Sequence, residues 1–354
     1  MINTETFTEE HIRNIQKSTK RDPALIERTI FALGLLEALV RSELPFTFKG
    51  GTSLILLLDK PRRFSTDIDI IVPLRIDVEK YLETAAKIFP FIKMIEHIRK
   101  TESNIEKRHF KFTFSSPTLK EEHTILLDIL FEENPYTTVI KKNIESELLL
   151  TEFPPVFVNI PNANCILADK LTAFAPNTTG IPYNINKEME IIKQLYDIAS
   201  LIDKIDDFSE VKANYYRIAK SELKYRSINA KPEDALNDTI KTSICVASRG
   251  QYYNDEYLML KKGISSLRNH IFSENFSGEI AVQRACMVIY IASAVLSNKS
   301  ELPSIKEDSY YLTTELNAYD YKKLASIRKT DMLAYKYLVE AFDMIVNCLT
   351  PEEI

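Results

Sequence analysis

Two neighbouring stretches hold the residue types best suited to chemistry. The first is Lys49-Gly50-Gly51-Thr52-Ser53-Leu54, and the second runs Arg63-Phe64-Ser65-Thr66-Asp67-Ile68-Asp69. Asp67 and Asp69 open the apolar run 68–72, which reads as a strand, and side chains two apart on a strand leave from the same side. Two carboxylates about 7 Å apart along the backbone can lean together and bridge a pair of Mg²⁺ ions. Such ions sit roughly 3.5–4 Å apart and take oxygen ligands. Gly50 and Gly51 precede a predicted helix, 52–59. Glycine admits close approach of a ligand to the backbone, and the N–H groups of a helix start attract phosphate. Lys49 and Arg63 add positive charge, and Ser65 lies on the face of the two aspartates. It suits a phosphate contact, a modification, or a turn. Metal carboxylates beside a phosphate cradle describe a nucleotidyl-transfer site. Taken singly, the aspartates suit surface polarity and the glycines an ordinary turn; the joint order is what points to chemistry.

The same ordered pattern resembles the AbiEii-type nucleotidyltransferase toxins of the DNA polymerase β-like superfamily, a group that includes the MenA toxins. Lys49 to Leu54 matches the first family segment. Arg63, Ser65, Asp67 and Asp69 match its R-x-S-x-D-x-D segment. Farther on, LADKLTAF (167–174) resembles the lysine motif through Asp169-Lys170-Leu171, and QLYDIASL (194–201) the next, with Asp197 at the acidic position. The resemblance spans roughly residues 30–205. Lys193 and Gln194 stand where the family often has arginine and aspartate, and the insert PNTTGIPYNINKEME is longer than in several relatives.

The resemblance implies metal binding by Asp67 and Asp69, with Mg²⁺ or Mn²⁺ on the triphosphate. It implies nucleotide contacts from Gly50, Gly51, Thr52, Ser53, Arg63, Ser65 and Lys170. Asp197 would position Lys170 or the nucleotide; an ion pair with Lys193, four residues before it on a helix, is the alternative. Asp128 sits inside the apolar strand TILLDILF, where an aspartate needs a reason. A polymerase β-like site uses a strand-borne third carboxylate to bind metal and help deprotonate the attacking hydroxyl. A strand-end aspartate bonded to backbone is the other reading.

The elements that must position these residues follow from periodicity. Helix 23–41 has Asp22 as N-cap and Pro23 at its first position. FTFK (46–49) and 68–72 read as strands, with a helix at 77–88 after them. Further strands are expected at 91–98, 109–115 and 123–131, with Phe110, Phe112 and Phe114 alternating with polar residues. Beyond the proline-rich 152–161, helices are expected at 187–204, 208–227, 232–248, 254–272, 278–297 and 319–349. The fold class is therefore α+β, with a mixed or antiparallel sheet in 1–175 followed by an all-α domain, 176–354; the resemblance implies that the first is a polymerase β-like nucleotidyltransferase domain.

Composition narrows the alternatives. The chain has 354 residues and a net charge of −5, so any nucleic-acid contact must be a local basic patch. On helix 208–227, Arg217, Lys220 and Lys224 share a face with Tyr216 and Tyr225 interleaved; they are candidate acceptor-binding residues, or a solvated face. The stretch 321–329 is a second basic candidate. The four cysteines form no CxxC pair, as befits a cytoplasmic chain. Five histidines show no metal spacing, and His109 and His123 read as strand residues. No stretch approaches eighteen uncharged apolar residues and the N-terminus is polar, so neither membrane span nor signal peptide is expected.

The resulting expectation is a Mg-dependent toxin moving NMP from an NTP to an acceptor, by resemblance the tRNA 3′ end, held in check by a cognate antitoxin. The alternatives are nucleotidylation of a protein or small molecule, and a non-catalytic binding module retaining the fold.

Overall fold

Helix starts are written in hydroxyl and carboxylate caps. Thr8 Oγ1 accepts from the His11 N–H to open α1 (Glu9–Thr19), and Asp22 accepts from the Ala24 N–H at 2.9 Å to open α2 (Pro23–Arg41). Pro23 sits at the first turn, where no N–H is needed. The computed structural model describes residues 1–98 and 106–346. Two compact units divide them: Met1–Asn162 with Asn269–Asn275, and a second that spans Ala163–Arg268 and resumes at Phe276.

The first unit is built on β1 (Thr47–Lys49), α3 (Gly50–Leu57), β2 (Asp67–Val72), α4 (Glu79–Ala85), β3 (Phe91–Glu96), β4 (Lys107–Ser115) and β5 (Glu122–Phe131). Its five-stranded sheet runs β1-β2-β5-β4-β3. The central β2–β5 pair is parallel and the others antiparallel, which makes the sheet mixed. Alternation divides it cleanly. Ile68, Ile70, Phe110, Phe112, Phe114, Ile125, Leu127 and Ile129 are buried on the core face. There α2 covers them, with Phe31 stacked on Phe114 at 3.9 Å between ring centroids. The opposite face carries Asp67, Asp69, Asp128 and His109. A two-stranded antiparallel ribbon, β6 (Val139–Asn143) with β7 (Phe157–Pro161), completes the strands. The polar run of β6 held no strand signal.

The second unit is α5 (Ala163–Ala173), α6 (Glu188–Leu201), α7 (Phe208–Tyr225), α8 (Pro232–Ala247), α9 (Asn254–Leu267), α10 (Gly278–Leu296), α11 (Asp308–Thr313) and α12 (Met332–Val346). No strand occurs among its described residues. Two predicted helices end differently. The one expected at 254–272 stops at Leu267, because the next residues join the first unit: the Phe64 N–H donates to the His270 carbonyl at 2.8 Å. There Ile271 bridges to Arg63, and Phe272 lies against Phe64 at 4.6 Å. The one expected at 319–349 is a 3₁₀ segment, Tyr319–Lys329, then α12; Asp331 interrupts them by accepting from the Ala334 N–H at 2.9 Å. Its last residues, and Cys348, lie outside the described residues.

By length and composition α10 is long and apolar enough to cross a membrane, with mean hydropathy 1.5, although Glu279 and Arg284 interrupt its apolar run. In the protein 72% of that window is buried, as suits a core helix packed on α8 and α12. Cys165, Cys245 and Cys286 are buried thiols with no disulfide among them. Burial pushes Cys245 up to about 12 and raises Cys286 as well, so neither offers a reactive thiolate near neutrality. Truncating the stacked ring by Phe114→Ala removes buried area and leaves a cavity. It is expected to cost the protein about 3–5 kcal/mol in urea denaturation, whereas exposed Leu74→Ala stays within about 0.5 kcal/mol.

Candidate active site

The two motifs close on each other through the glycines. Gly50 has φ of 78°, a conformation side chains rarely adopt, and a Cβ there would collide with the Asp69 carboxylate. A Cβ on Gly51 would collide with the Arg63 guanidinium and come within 3.3 Å of Ser65 Oγ. The double glycine therefore lets Asp69 and Arg63 lie against bare backbone at the start of α3. Thr52 and Ser53, the next residues, are fully buried. Thr52 Oγ1 has one proton for two acceptors within reach, the Asp67 carbonyl at 2.5 Å and Ser65 Oγ at 2.7 Å. Ser53 Oγ donates to the Gly50 carbonyl at 2.8 Å. Arg63 is buried and its Nη1 donates to the Phe64 carbonyl at 3.0 Å, so its charge braces the turn from within.

Register aligns the rest. Lys49 is opposite Asp69 on β1–β2, Asp69 is beside Asp128 on β2–β5, and Asp128 is opposite His109 on β5–β4. One cation, two carboxylates and one imidazole thus form a lateral row across four strands. The Asp67 side chain is half exposed, and Arg28 Nη2 of α2 stands 4.0 Å from it, while also donating to Thr66 Oγ1 at 3.4 Å. His109 Nδ1 lies 2.7 Å from Asp128 Oδ1. Among the described residues, no group of three or more His, Cys, Asp or Glu side chains comes together as a preassembled metal cage. The donor set is nevertheless all-carboxylate and partly open to solvent, which suits a hard oxygen-seeking cation that brings ligands of its own.

In the second unit, Lys170 of α5 meets Asp197 of α6 at 3.0 Å, with side chains 7% and 1% exposed. Lys170 Nζ also donates to Gln194 Oε1 at 2.9 Å. Lys193 pairs instead with Glu190 at 2.8 Å. Gln194, a position where this chain departs from the family pattern, thus holds the motif lysine. On α7, Arg217, Lys220 and Lys224 are all exposed, while Tyr216 packs edge-on against Tyr215 at 5.7 Å. In the second basic stretch, Lys322, Lys323 and Lys329 are exposed, and Tyr321 is tied to the Tyr253 hydroxyl at 2.9 Å.

Arg28 escaped sequence reading, while Gln194 stood there only as a departure from the family pattern and His109 only as a strand residue. The partner of His109 follows from strand register, which places it across from Asp128. Two measurements follow from these contacts. Gly50→Ala forces a strained φ and displaces Asp69; it is expected to cost about 1–3 kcal/mol in chemical denaturation. Lys170→Met strands a buried carboxylate and is expected to cost about 3–5 kcal/mol, most of which returns in Lys170→Met/Asp197→Leu.

Residues 34–260 match the model of the family described as nucleotidyl transferase AbiEii toxin, type IV TA system. Two solved Helicobacter pylori structures are similar, both with TM-scores of 0.41. JHP933 is 16% identical over 77% of this chain and 93% of its own. A putative nucleotidyltransferase is 17% identical over 78% of this chain and 99% of its own. No curated protein matches. With the family model covering more than half of its length and both motifs in place, the chain belongs to the AbiEii family of nucleotidyltransferase toxins.

Proposed function

We propose that this nucleotidyltransferase moves NMP from an NTP to a hydroxyl of an RNA acceptor, the tRNA 3′ end, and that this arrests translation and growth. The observation that carries the reading is the closure of the two motifs. Asp67 and Asp69 leave one face of β2, and Asp69 is seated on the glycine turn. In the reaction the acceptor oxygen forms a bond to the α-phosphorus, the bond to the β-phosphate oxygen breaks, and pyrophosphate leaves. Asp67, Asp69 and Asp128 would hold Mg²⁺ or Mn²⁺, which would supply charge neutralisation for the triphosphate. Asp128 also takes the proton of the attacking hydroxyl. The backbone at Gly50 and Gly51, with Thr52, Ser53, Arg63 and Ser65, lines the nucleotide side. The family resemblance implies a phosphate contact from Lys170, whose ammonium Asp197 and Gln194 hold in place. Arg28, beside Asp67, adds a further cation. The exposed Arg217, Lys220 and Lys224 face of α7 is the acceptor-binding candidate; exposed cations there favour a polyanion over a protein acceptor. Such a toxin works in the cytoplasm, with an antitoxin as partner. The expected division at 175/176 would cut α5 from the helices it packs with, so we assign catalysis to the first compact unit, Met1–Asn162 with Asn269–Asn275.

The test is transfer of label from each of four α-³²P NTPs, with Mg²⁺ or Mn²⁺, into purified tRNA, total RNA or protein extract. Label is expected in tRNA, and Asp67→Asn or Asp69→Asn should lower its rate at least about a hundredfold. Label in protein alone would move the acceptor to the alternative. Undiminished transfer by the aspartate variants would remove the proposed site.

A further inference from the structure

The transferase reading makes Asp128 the proton acceptor but leaves open what aims it. An isolated carboxylate on a strand can swing about two side-chain torsions, and proton transfer needs its oxygen within hydrogen-bond reach of the attacking hydroxyl. The structure supplies a restraint. His109 stands directly across from Asp128 in the β4–β5 register, with Nδ1 2.7 Å from Oδ1. The imidazole is 11% exposed and the carboxylate 31%, so the ring is packed while the carboxylate is the more accessible partner. A carboxylate that only accepts makes Nδ1 the donor of this bond, and the test below reads where that proton lies. The strand beneath the ring is itself pinned. The preceding residue, Arg108, points to the other face and donates to Glu96 of β3 at 2.8 and 3.0 Å, and it pairs with Glu79 of α4 at 2.6 Å. The backbone of His109 is fixed as well, its carbonyl accepting from the His97 N–H at 2.7 Å.

We propose that His109 is a positioning residue: by donating from Nδ1 to one oxygen of Asp128 it turns the other oxygen toward the acceptor hydroxyl. The proton taken in the reaction goes to Asp128 and not to the ring. The inference rests on the transferase reading, and its test separates the two.

One arm needs no activity. Long-range ¹H–¹⁵N correlation on the full, metal-free chain is expected to find Nδ1 of His109 protonated, a state lost in Asp128→Ala. A ring with a bare Nδ1, or one indifferent to that substitution, would overturn the proposal. The other arm is kinetic. His109→Ala is expected to lower kcat about ten- to a hundredfold with the NTP KM within about twofold. His109→Asn, whose amide can donate from nearly the Nδ1 position, should recover most of that loss without altering the melting transition. The double variant His109→Ala/Asp128→Ala should be no slower than Asp128→Ala. Wild-type kcat in His109→Ala would overturn the inference. So would a well-folded His109→Asn as slow as the alanine variant, since it would put the proton on the imidazole. A wild-type chain that transfers nothing would remove the transferase reading, while the first arm still decides the His109–Asp128 pairing.

Discussion

The contact on which the arrangement of the first unit's aspartate face depends is a carboxylate resting on a peptide backbone. Asp69 fills the space where any residue but glycine at position 50 would carry its Cβ, and the backbone there has φ of 78°. One residue thus meets two demands, a left-handed turn out of β1 and room for a side chain from β2. Gly51 repeats the arrangement with Arg63. The result is a clasp between residues twelve or more positions apart in sequence, in which a carboxylate and a guanidinium lie against bare backbone. Thr52 tightens it by donating within the same few ångströms.

Charge is handled differently in the two units. The aspartate face of the sheet keeps Asp67 half exposed and Asp128 partly so, which leaves the carboxylates hydrated and able to exchange water for a cation. Lys170 and Asp197 are instead almost wholly withdrawn from solvent and are compensated by each other and by Gln194. Such a pair contributes little net stability relative to apolar residues of similar size, yet losing one member leaves a bare charge inside. What it secures is a fixed position for the ammonium group.

Local signals carried far in this chain. Asp22-Pro23 marked α2 to the residue, and the Phe110, Phe112 and Phe114 alternation marked the core face of β4. The two motif segments were readable because their residues lie close together in sequence. Contacts made between distant segments were not readable. Arg28 approaches Asp67 across thirty-nine positions with no pattern to announce it, and His109 meets Asp128 only once strand register is known. β6 was missed because its lysines and asparagine carry no apolar alternation, its pairing with β7 overriding propensity. Helix 254–272 ran too far in the sequence reading because nothing local distinguishes a helical Ile271-Phe272 from one that leaves to cover Phe64.

That excursion has a consequence for how the polypeptide is made. The strap Asn269–Asn275 belongs to the first unit, although more than a hundred residues of the second come before it. A nascent chain emerging from the ribosome cannot seat Ile271 against Arg63 until most of the second unit has been translated. The surroundings of the arginine that braces the glycine turn are therefore finished late in synthesis. A product released before residue 269 would carry every carboxylate of the sheet and still lack the strap that covers Phe64.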